Sequence, residues 1–288
     1  MKINTISPDE HKFLQIISGI ANSPKTLYFI GTLPIGRASD VKVVAVVGTR
    51  KPSSYGKEVT FDLAYKLARK GVAIVSGLAY GVDAIAHKAA LEAGGKTIAV
   101  LANGLDSIYP SSHRKLAEDI VKAGGALISE YPPGTEARDF QFLARNRIVS
   151  GLSDAIIVTE AASRTGTLST VGHALEQNKE VFAVPGNITS PMSAGPNRLI
   201  QQGAHPVTSA DDILQIIAPE LLEIQTILNL GTNPEEVLLI DLIKSGIREG
   251  EELQQASGLE ASVFSQTLTM LEIQGLIRGL GGNRWTVT

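Results

Sequence analysis

The sequence predicts a doubly wound α/β domain with a mostly parallel sheet, followed by a small C-terminal winged-helix domain. Short runs rich in β-branched residues alternate with longer helical stretches between residues 40 and 217. These runs are almost continuously apolar, which is typical of strands that are buried on both faces by helices. Residues 234–288 contain three short helical patterns, a glycine-rich segment and a β-like end. That order is the outline of a winged helix.

The N-terminal residues 1–39 predict a short extension to the main domain. A helix is expected over 7–22, with Ser7 as N-cap and Pro8 at the first helical position. Residues 27–30 then predict an edge strand that ends at Gly31.

The main domain, 40–217, contains six predicted strands with helices between them. The strands are predicted at 41–47, 72–76, 96–101, 126–129, 155–159 and 180–184, and the helices at 57–70, 81–94, 112–123, 141–151, 168–178 and 209–217. Residues 218–233 predict a linker. The last domain, 234–288, has predicted helices at 235–245, 249–257 and 261–274, followed by a terminal hairpin.

Composition excludes several classes of protein. The chain has 288 residues, 43% of them hydrophobic and 19% charged, as in ordinary globular proteins. No apolar run approaches the roughly 18 residues of a membrane span, and the first residues lack the features of a signal peptide. Cysteine is absent, which excludes thiolate catalysis and Cys-based metal sites. We expect a cytoplasmic protein that is not bound to a membrane.

The loop after the first strand of the main domain predicts a phosphate cradle. The N–H groups of the following helix are free to bind an anion at the carboxyl end of a parallel sheet. The residues expected to take part are Gly48, Thr49, Arg50, Lys51, Ser53 and Ser54. The alternative is a basic turn exposed to solvent. Neither G-x-G-x-x-G nor G-x-x-x-x-G-K-[ST] occurs, so we predict no nucleotide cofactor.

Two further segments fit a site for single-stranded nucleic acid. Phe142, Arg145, Asn146 and Arg147 offer a ring for a base and cations for phosphates within six residues. The alternative places Phe142 in the core and the arginines in surface salt bridges. The turn Thr165-Gly166-Thr167 predicts a second anion site. With the first loop and Ser76-Gly77 it would line one crevice above the sheet.

Several motifs follow one another in a fixed order along residues 24–214. They include Val47-Gly48-Thr49-Arg50, Ser76-Gly77-Leu78-Ala79-Tyr80-Gly81-Val82-Asp83, Tyr109-Pro110, Ser129-Glu130-Tyr131-Pro132, Arg145-Asn146-Arg147-Ile148, Gly166-Thr167-Leu168, Val184-Pro185-Gly186 and Asn197-Arg198-Leu199-Ile200. Together they resemble the DprA (Smf) family. The resemblance implies a Rossmann-like domain that binds single-stranded DNA without catalysis. It also implies that the protein loads the RecA recombinase, forms homodimers and supports natural transformation.

The chain departs from the family pattern in two places. Leu143 follows Phe142 where the family usually has proline, and Ser111, Ser112 and His113 follow Tyr109-Pro110 in place of a basic residue and an asparagine. A DNA contact by that second loop is therefore in doubt. The segment 197–200 is a candidate dimer surface, although its Leu-Ile pair equally fits a core position.

Enzymatic alternatives lack their catalytic groups. The lysine-decarboxylase-like nucleotide hydrolases carry a glutamate where this chain has Thr170. Asp83 and His87, four residues apart, predict a carboxylate–imidazole hydrogen bond that braces a loop, since two ligands are too few for a metal. Glu130 and Glu160 end neighbouring strands, and we expect them to bind loop backbone.

The charge of the winged helix argues against a duplex-DNA reader. Residues 234–288 contain eight acidic and four basic side chains, and the presumed recognition helix, 261–274, contains no Lys or Arg. Because phosphate attraction dominates DNA affinity, contact with protein is the better prediction for this domain.

Overall fold

The computed structural model describes residues 2–36, 40–222 and 233–287. The chain forms two compact units, Met1–Ala218 and Pro219–Thr288. Most of the predicted linker, 218–233, lies outside the described residues.

The first unit is built on a nine-stranded sheet with the order β1-β2-β6-β5-β4-β3-β7-β8-β9. The strands are β1 Asn4–Ile6, β2 Leu27–Gly31, β3 Val43–Val47, β4 Ala73–Ser76, β5 Thr97–Leu101, β6 Ala126–Ser129, β7 Ala155–Val158, β8 Glu180–Ala183 and β9 His205–Pro206. From β6 to β9 all neighbours are parallel. The predicted mostly parallel α/β fold is confirmed.

Seven helices cover the described part of this sheet. They are α1 Ser54–Arg69, α2 Val82–Glu92, α3 Arg114–Lys122, α4 Asp139–Gly151, α5 Gly166–Glu176, α6 Ala194–Gln201 and α7 Ala210–Ile217. Every residue of β3, β4, β5, β6 and β7 is buried, because helices pack on both faces of the sheet. Continuous Val, Ile and Ala runs form such strands, since neither face needs polar side chains.

The N-terminal predictions are wrong in two details. Two 3-10 helices, Pro8–Glu10 and Leu14–Gly19, replace the single helix expected over 7–22. The β-branched and glycine residues at 16–19 favour an α-helix only weakly. The strand at 27–30 is not an edge strand, because β2 pairs with β1 on one side and with β6 on the other, antiparallel to both. Three residues of β1 are too few for a recognisable pattern.

Two further elements, α6 and β9, have no counterpart among the predicted ones. Pro196 lies within α6, where proline argues against a helix, and β9 has two residues. On α6, Leu199 is 8% exposed and Ile200 packs beside the same core cluster. The Leu-Ile pair proposed for dimer contact is therefore a core element.

The second unit is a winged helix, as predicted. Its helices are α8 Pro234–Lys244, α9 Gly250–Ser257 and α10 Ala261–Ile273, followed by the antiparallel strands β10 Ile277–Gly279 and β11 Trp285–Val287. Leu239, Leu253, Phe264 and Leu271 form its core. Within the described part of the chain, no helix is both long and apolar enough to span a membrane.

Candidate functional site

The loop after β3 is fixed at the carboxyl end of the sheet. A Cβ atom on Gly48 would lie 2.6 Å from Val82 Cγ2 and 2.8 Å from the Glu160 carbonyl oxygen, so only glycine fits there. The Thr49 N–H donates to that Glu160 oxygen at 2.7 Å, and the Val82 N–H donates to the Thr49 carbonyl at 3.2 Å. The loop is thus tied to the ends of both β7 and α2.

The Glu160 carboxylate, 2% exposed as a residue, holds the start of α1. It accepts from the Ser53 N–H at 2.8 Å and from Ser53 Oγ at 2.6 Å, and Ser53 Oγ accepts from the Gly56 N–H as N-cap. A Cβ atom on Gly56 would collide with Glu160 Oε2. The predicted bond from Glu160 to loop backbone is confirmed.

The loop after β4 is held by a second buried carboxylate. Asp83 Oδ2 accepts from the N–H groups of Gly77 at 3.0 Å and Ala79 at 3.3 Å. The predicted bond between Asp83 and His87 is wrong. Asp83, in the first turn of α2, instead binds the N–H groups of Gly77 and Ala79 in the preceding loop. His87 lies one turn later, and its Nδ1 is 2.7 Å from Thr97 Oγ1.

Arg145 on α4 lies beneath these loops and is 5% exposed. Its Nη1 donates to the carbonyl oxygens of Gly77, at 2.6 Å, and of Val100. Burial raises the pKa of Asp83, while the charge of Arg145 and the loop N–H groups lower it. The guanidinium therefore balances the buried carboxylate and forms part of the floor of the site.

Arg147 points to the other side of α4. Residues two positions apart do not share a helix face, so Arg145 and Arg147 cannot act together as predicted. Arg147 donates to both carboxylate oxygens of Glu130, at 2.8 and 2.6 Å, and to the Asn22 carbonyl at 3.0 Å. The predicted backbone contact of Glu130 is thus replaced by this ion pair.

The turn after β7 closes the site. Thr167 Oγ1 donates to the Gly48 carbonyl at 3.1 Å, and Asn146 Nδ2 donates to the Gly166 carbonyl at 3.3 Å. Thr165 Oγ1 is buried and has no hydrogen-bond partner among the described residues. A ligand with a donor or acceptor group would satisfy this hydroxyl.

These three loops and α4 enclose a crevice of about 700 Å³. It lies at the ends of β3 and β7, where the strand order reverses, and open α/β sheets bind their ligands at such a point. Eleven of the predicted site residues line it: Gly48, Thr49, Arg50, Lys51, Gly77, Phe142, Arg145, Asn146, Thr165, Gly166 and Thr167. Ser53, Ser54, Ser76 and Arg147 are absent from the lining; Ser76 is fully buried and donates to the Val46 carbonyl.

Some lining residues were not predicted from the sequence. Asp139, Leu143 and Val149 share the crevice with Phe142, and their spacing along α4 could have indicated this. Met192 also lines the crevice but follows no local pattern. Thr170 lies at the wall and is 2% exposed.

The accessible positive charge of the crevice lies near one aromatic ring. Arg50 and Lys51 are exposed, and Arg50 Cζ lies 5.5 Å from the centroid of the half-buried Phe142 ring. The Tyr109 ring lies 5.4 Å from Phe142 at an angle of 47°. The site therefore combines exposed cations, the unpartnered Thr165 hydroxyl and stacking surface. Across residues 2–36, 40–222 and 233–287, no group of three His, Asp or Glu side chains is arranged to hold a metal ion.

Solved structures with this fold include DNA processing protein A from Streptococcus pneumoniae, with a TM-score of 0.68 and 39% identity, over 75% of each chain. DNA processing protein A from Helicobacter pylori, described for its mode of binding single-stranded DNA, has a TM-score of 0.67 and 32% identity. That similarity covers 76% of this chain and 97% of the other.

Sequence comparison finds further DNA processing proteins. The chain is 42% identical over 213 residues to DNA processing protein DprA of Bacillus subtilis, which covers 74% of this chain and 71% of that protein. It is 50% identical over 172 residues to Protein Smf of Escherichia coli, covering 60% and 46% respectively. The DprA winged-helix profile matches residues 209–283, and the DNA recombination-mediator protein A profile matches residues 4–218. The chain therefore belongs to the DNA recombination-mediator protein A family, the DprA/Smf proteins.

Proposed function

We propose that the crevice binds single-stranded DNA. The observation that carries this proposal is the position of Arg50 over Phe142, next to Lys51. A cation for a phosphate beside an aromatic ring for a base is the combination that single-strand sites use, and it requires unstacked bases. The binding of single-stranded DNA by the similar Helicobacter pylori protein supports the same assignment.

The lining residues divide by chemistry. Arg50 and Lys51 would contact phosphates, and Phe142 would stack on a base. Hydroxyl, amide and remaining backbone groups would hold the strand from both walls; they belong to Gly48, Thr49, Asn146, Thr165, Gly166 and Thr167. Gly77 would shape the wall, because Asp83 and Arg145 already bind its N–H and carbonyl groups. Arg145 would act as part of the floor. Ser53, Ser54, Ser76 and Arg147 are left out of this set.

The proposed role is non-catalytic. The protein would protect incoming single strands in the cytoplasm and load the RecA recombinase on them, in natural transformation or general recombination. It would do so as a homodimer. The family description as a recombination mediator supports this role. We expect RecA filaments to form faster on single strands that another protein already coats when this protein is added. Light scattering at micromolar concentration should give the mass of a dimer.

Gel shifts with single-stranded and blunt duplex oligonucleotides of equal length test the binding itself. We expect tight binding of the single strand and clearly weaker binding of the duplex. Equal affinity for both forms would exclude a site that depends on stacking with unpaired bases.

A further inference from the structure

A second cavity of about 460 Å³ adjoins the crevice. Its lining includes Tyr80, Asn103, Ser107, Tyr109, Ser111 and Glu136. None of these side chains belongs to the site that the sequence predicts. The cavity includes the loop after Tyr109-Pro110, where the chain departs from its family pattern.

Tyr109 joins the two cavities. It is 50% exposed and lines the second cavity, while its ring contacts that of Phe142, which lines the crevice. The neighbouring wall shows the same continuity, because Ala79 lines the crevice and Tyr80 lines the second cavity. Aromatic surface therefore continues from one cavity into the other.

Tyr80 is held on the surface by its neighbours. It is 49% exposed, and its hydroxyl accepts from Ser112 Oγ at 3.1 Å. Its ring packs edge-on against His113, with the centroids 5.0 Å apart, and His113 Nδ1 donates to the Leu78 carbonyl at 2.9 Å. The ring is thus fixed in an exposed position, where it can stack on a flat ligand.

The charge of the second cavity differs from that of the crevice. Among the described residues that line it, Glu136 is the only charged one, whereas the crevice has the exposed cations Arg50 and Lys51 beside one exposed carboxylate, Asp139. A carboxylate disfavours a phosphate group but not a neutral base. The hydroxyls of Ser107 and Ser111 can donate to or accept from a base edge.

We propose that the second cavity is a nucleobase subsite. One base of a bound strand stacks on Phe142 in the crevice, and a neighbouring base stacks on Tyr109 and Tyr80, while the phosphate between them stays on the cationic side. The subsite rests on the proposed function, since it extends the same DNA path by one base.

An abasic scan tests this subsite. The oligonucleotide is kept to the shortest length that still binds, so that it has one register on the protein, and it carries one abasic position that is moved along the strand; affinity is measured for the full-length protein. For the unmodified protein we expect two sensitive positions, each weakening binding by roughly 5- to 150-fold, the range for one stacked base. With Phe142→Ala, affinity should no longer depend on the base at one of these positions. With Tyr109→Ala or Tyr80→Ala, it should no longer depend on the base at the other. Replacing the outer phosphate of the second nucleotide, the one that does not join it to the first, by a neutral methylphosphonate should change affinity little.

Two variants serve as controls. Tyr109→Phe keeps the ring and should keep both sensitive positions. Phe140→Ala removes an aromatic ring that is 63% exposed on the same helix as Phe142 but lines neither cavity, and it should scan like the unmodified protein.

The outcomes separate this subsite from the proposed function. If Phe142→Ala loses one sensitive position but the tyrosine variants scan like the unmodified protein, the second subsite is wrong and the crevice stands. A second position that responds to neutralisation of this outer phosphate and not to base removal also overturns it. If the unmodified protein does not bind the strand, or if Phe142→Ala and Arg50→Ala bind as well as it does, the proposed function fails as well.

Discussion

The guanidinium of Arg50 lies over the ring of Phe142, with its central carbon 5.5 Å from the ring centroid. Arg50 lies on the loop after β3 and Phe142 in the first turn of α4, 92 positions later in the chain, and the reversal of strand order at β3 and β7 brings them together. A cation in this position is attracted to the ring and remains open to an anion. Phosphate and base contacts would therefore meet at one point of the crevice.

Arg50→Ala should weaken binding of single-stranded DNA by roughly 1–3 kcal/mol, which is the worth of a charge-assisted hydrogen bond. The slope of log affinity against log salt should fall in magnitude by about 0.7, as for one lost phosphate contact. Because the contact is to backbone, the loss should be similar for poly-pyrimidine and mixed strands. Filter binding at several salt concentrations measures both quantities.

Arg69→Ala is the matched control for this change. Arg69 is exposed in the last turn of α1, away from the loop that Arg50 occupies, and its loss changes the net charge equally. A folded Arg50→Ala protein that behaves like Arg69→Ala would show that the crevice is not the DNA path.

Asp139 carries an accessible negative charge at the wall of the crevice. Asp139→Asn should tighten single-strand binding by about 0.2–1 kcal/mol, the usual size of an exposed charge interaction, with the gain disappearing at high salt. The same change should cost roughly 0.3–1 kcal/mol of stability, because Asp139 begins α4 and favours its dipole. Glu92→Gln, at the end of α2, should leave affinity unchanged. Weaker binding by Asp139→Asn would contradict a phosphate path along this wall.

Arg147→Gln should act on stability and not on DNA binding. Arg147 and Glu130 form a largely buried ion pair whose side chains are 11% and 17% exposed. Removing one partner of such a pair costs about 3–5 kcal/mol, because the other charge stays buried. Urea denaturation should show this loss for Arg147→Gln and a similar one for Glu130→Gln. If Arg147→Gln loses affinity for single-stranded DNA while its urea midpoint is unchanged, Arg147 contacts the DNA and this prediction is wrong.

His87 predicts a stability that falls in mild acid. Thr97 Oγ1 donates to the Ile74 carbonyl, so His87 Nδ1 must be the donor to Thr97, and its Nε2 is buried with no partner among the described residues. Burial lowers the pKa of His87 to about 3, with smaller effects of His113 and Arg145. A proton on Nε2 would be a buried, unpaired charge.

The unfolded chain binds this proton near pH 6.5, whereas the folded chain does not until about pH 3. The contribution of neutral His87 to the free energy of unfolding is therefore fully present above pH 6.5. As the pH falls, this contribution is lost at up to roughly 1.4 kcal/mol per pH unit. Urea denaturation measures the free energy of unfolding between pH 6.5 and 4. His87→Gln should make its decline with falling pH less steep, while His173→Gln, on the surface of α5, should not. Equal slopes for His87→Gln and the unmodified protein would contradict this assignment.

Removal of residues 234–288 should leave most single-strand affinity intact. The segment has an excess of four acidic side chains, and α10 contains no Lys or Arg, whereas every residue that lines the crevice precedes Ala218. Filter binding of the truncated and full-length proteins compares the two. A tenfold or greater loss would mean that the winged helix forms part of the DNA site.

The sequence is informative wherever a local pattern decides the structure. Continuous apolar runs such as Val43–Val47 predicted the buried parallel strands, and a glycine followed by hydroxyl and basic residues marked the crevice loops. Pairings between distant residues could not be predicted in this way. The Ser53 hydroxyl donates to Glu160, 107 positions away. Arg147 forms its ion pair with Glu130 on another element. The adjacency of Tyr109 and Phe142 also depends on how β5 and α4 pack, which no local pattern states.

The two buried carboxylates have a consequence for the affinity of the crevice. Glu160 and Asp83 hold the loops after β3 and β4 from inside the protein, so these loops are ordered before any strand arrives. Ordering a flexible residue costs about 1–2 kcal/mol of conformational entropy, and here folding has already met that cost. A strand would meet a rigid receptor and would itself be the partner that loses freedom on binding. Affinity would then depend on the stiffness of the oligonucleotide, with flexible poly-pyrimidine tracts ordered at lower enthalpic cost than strands whose stacked purines must first come apart.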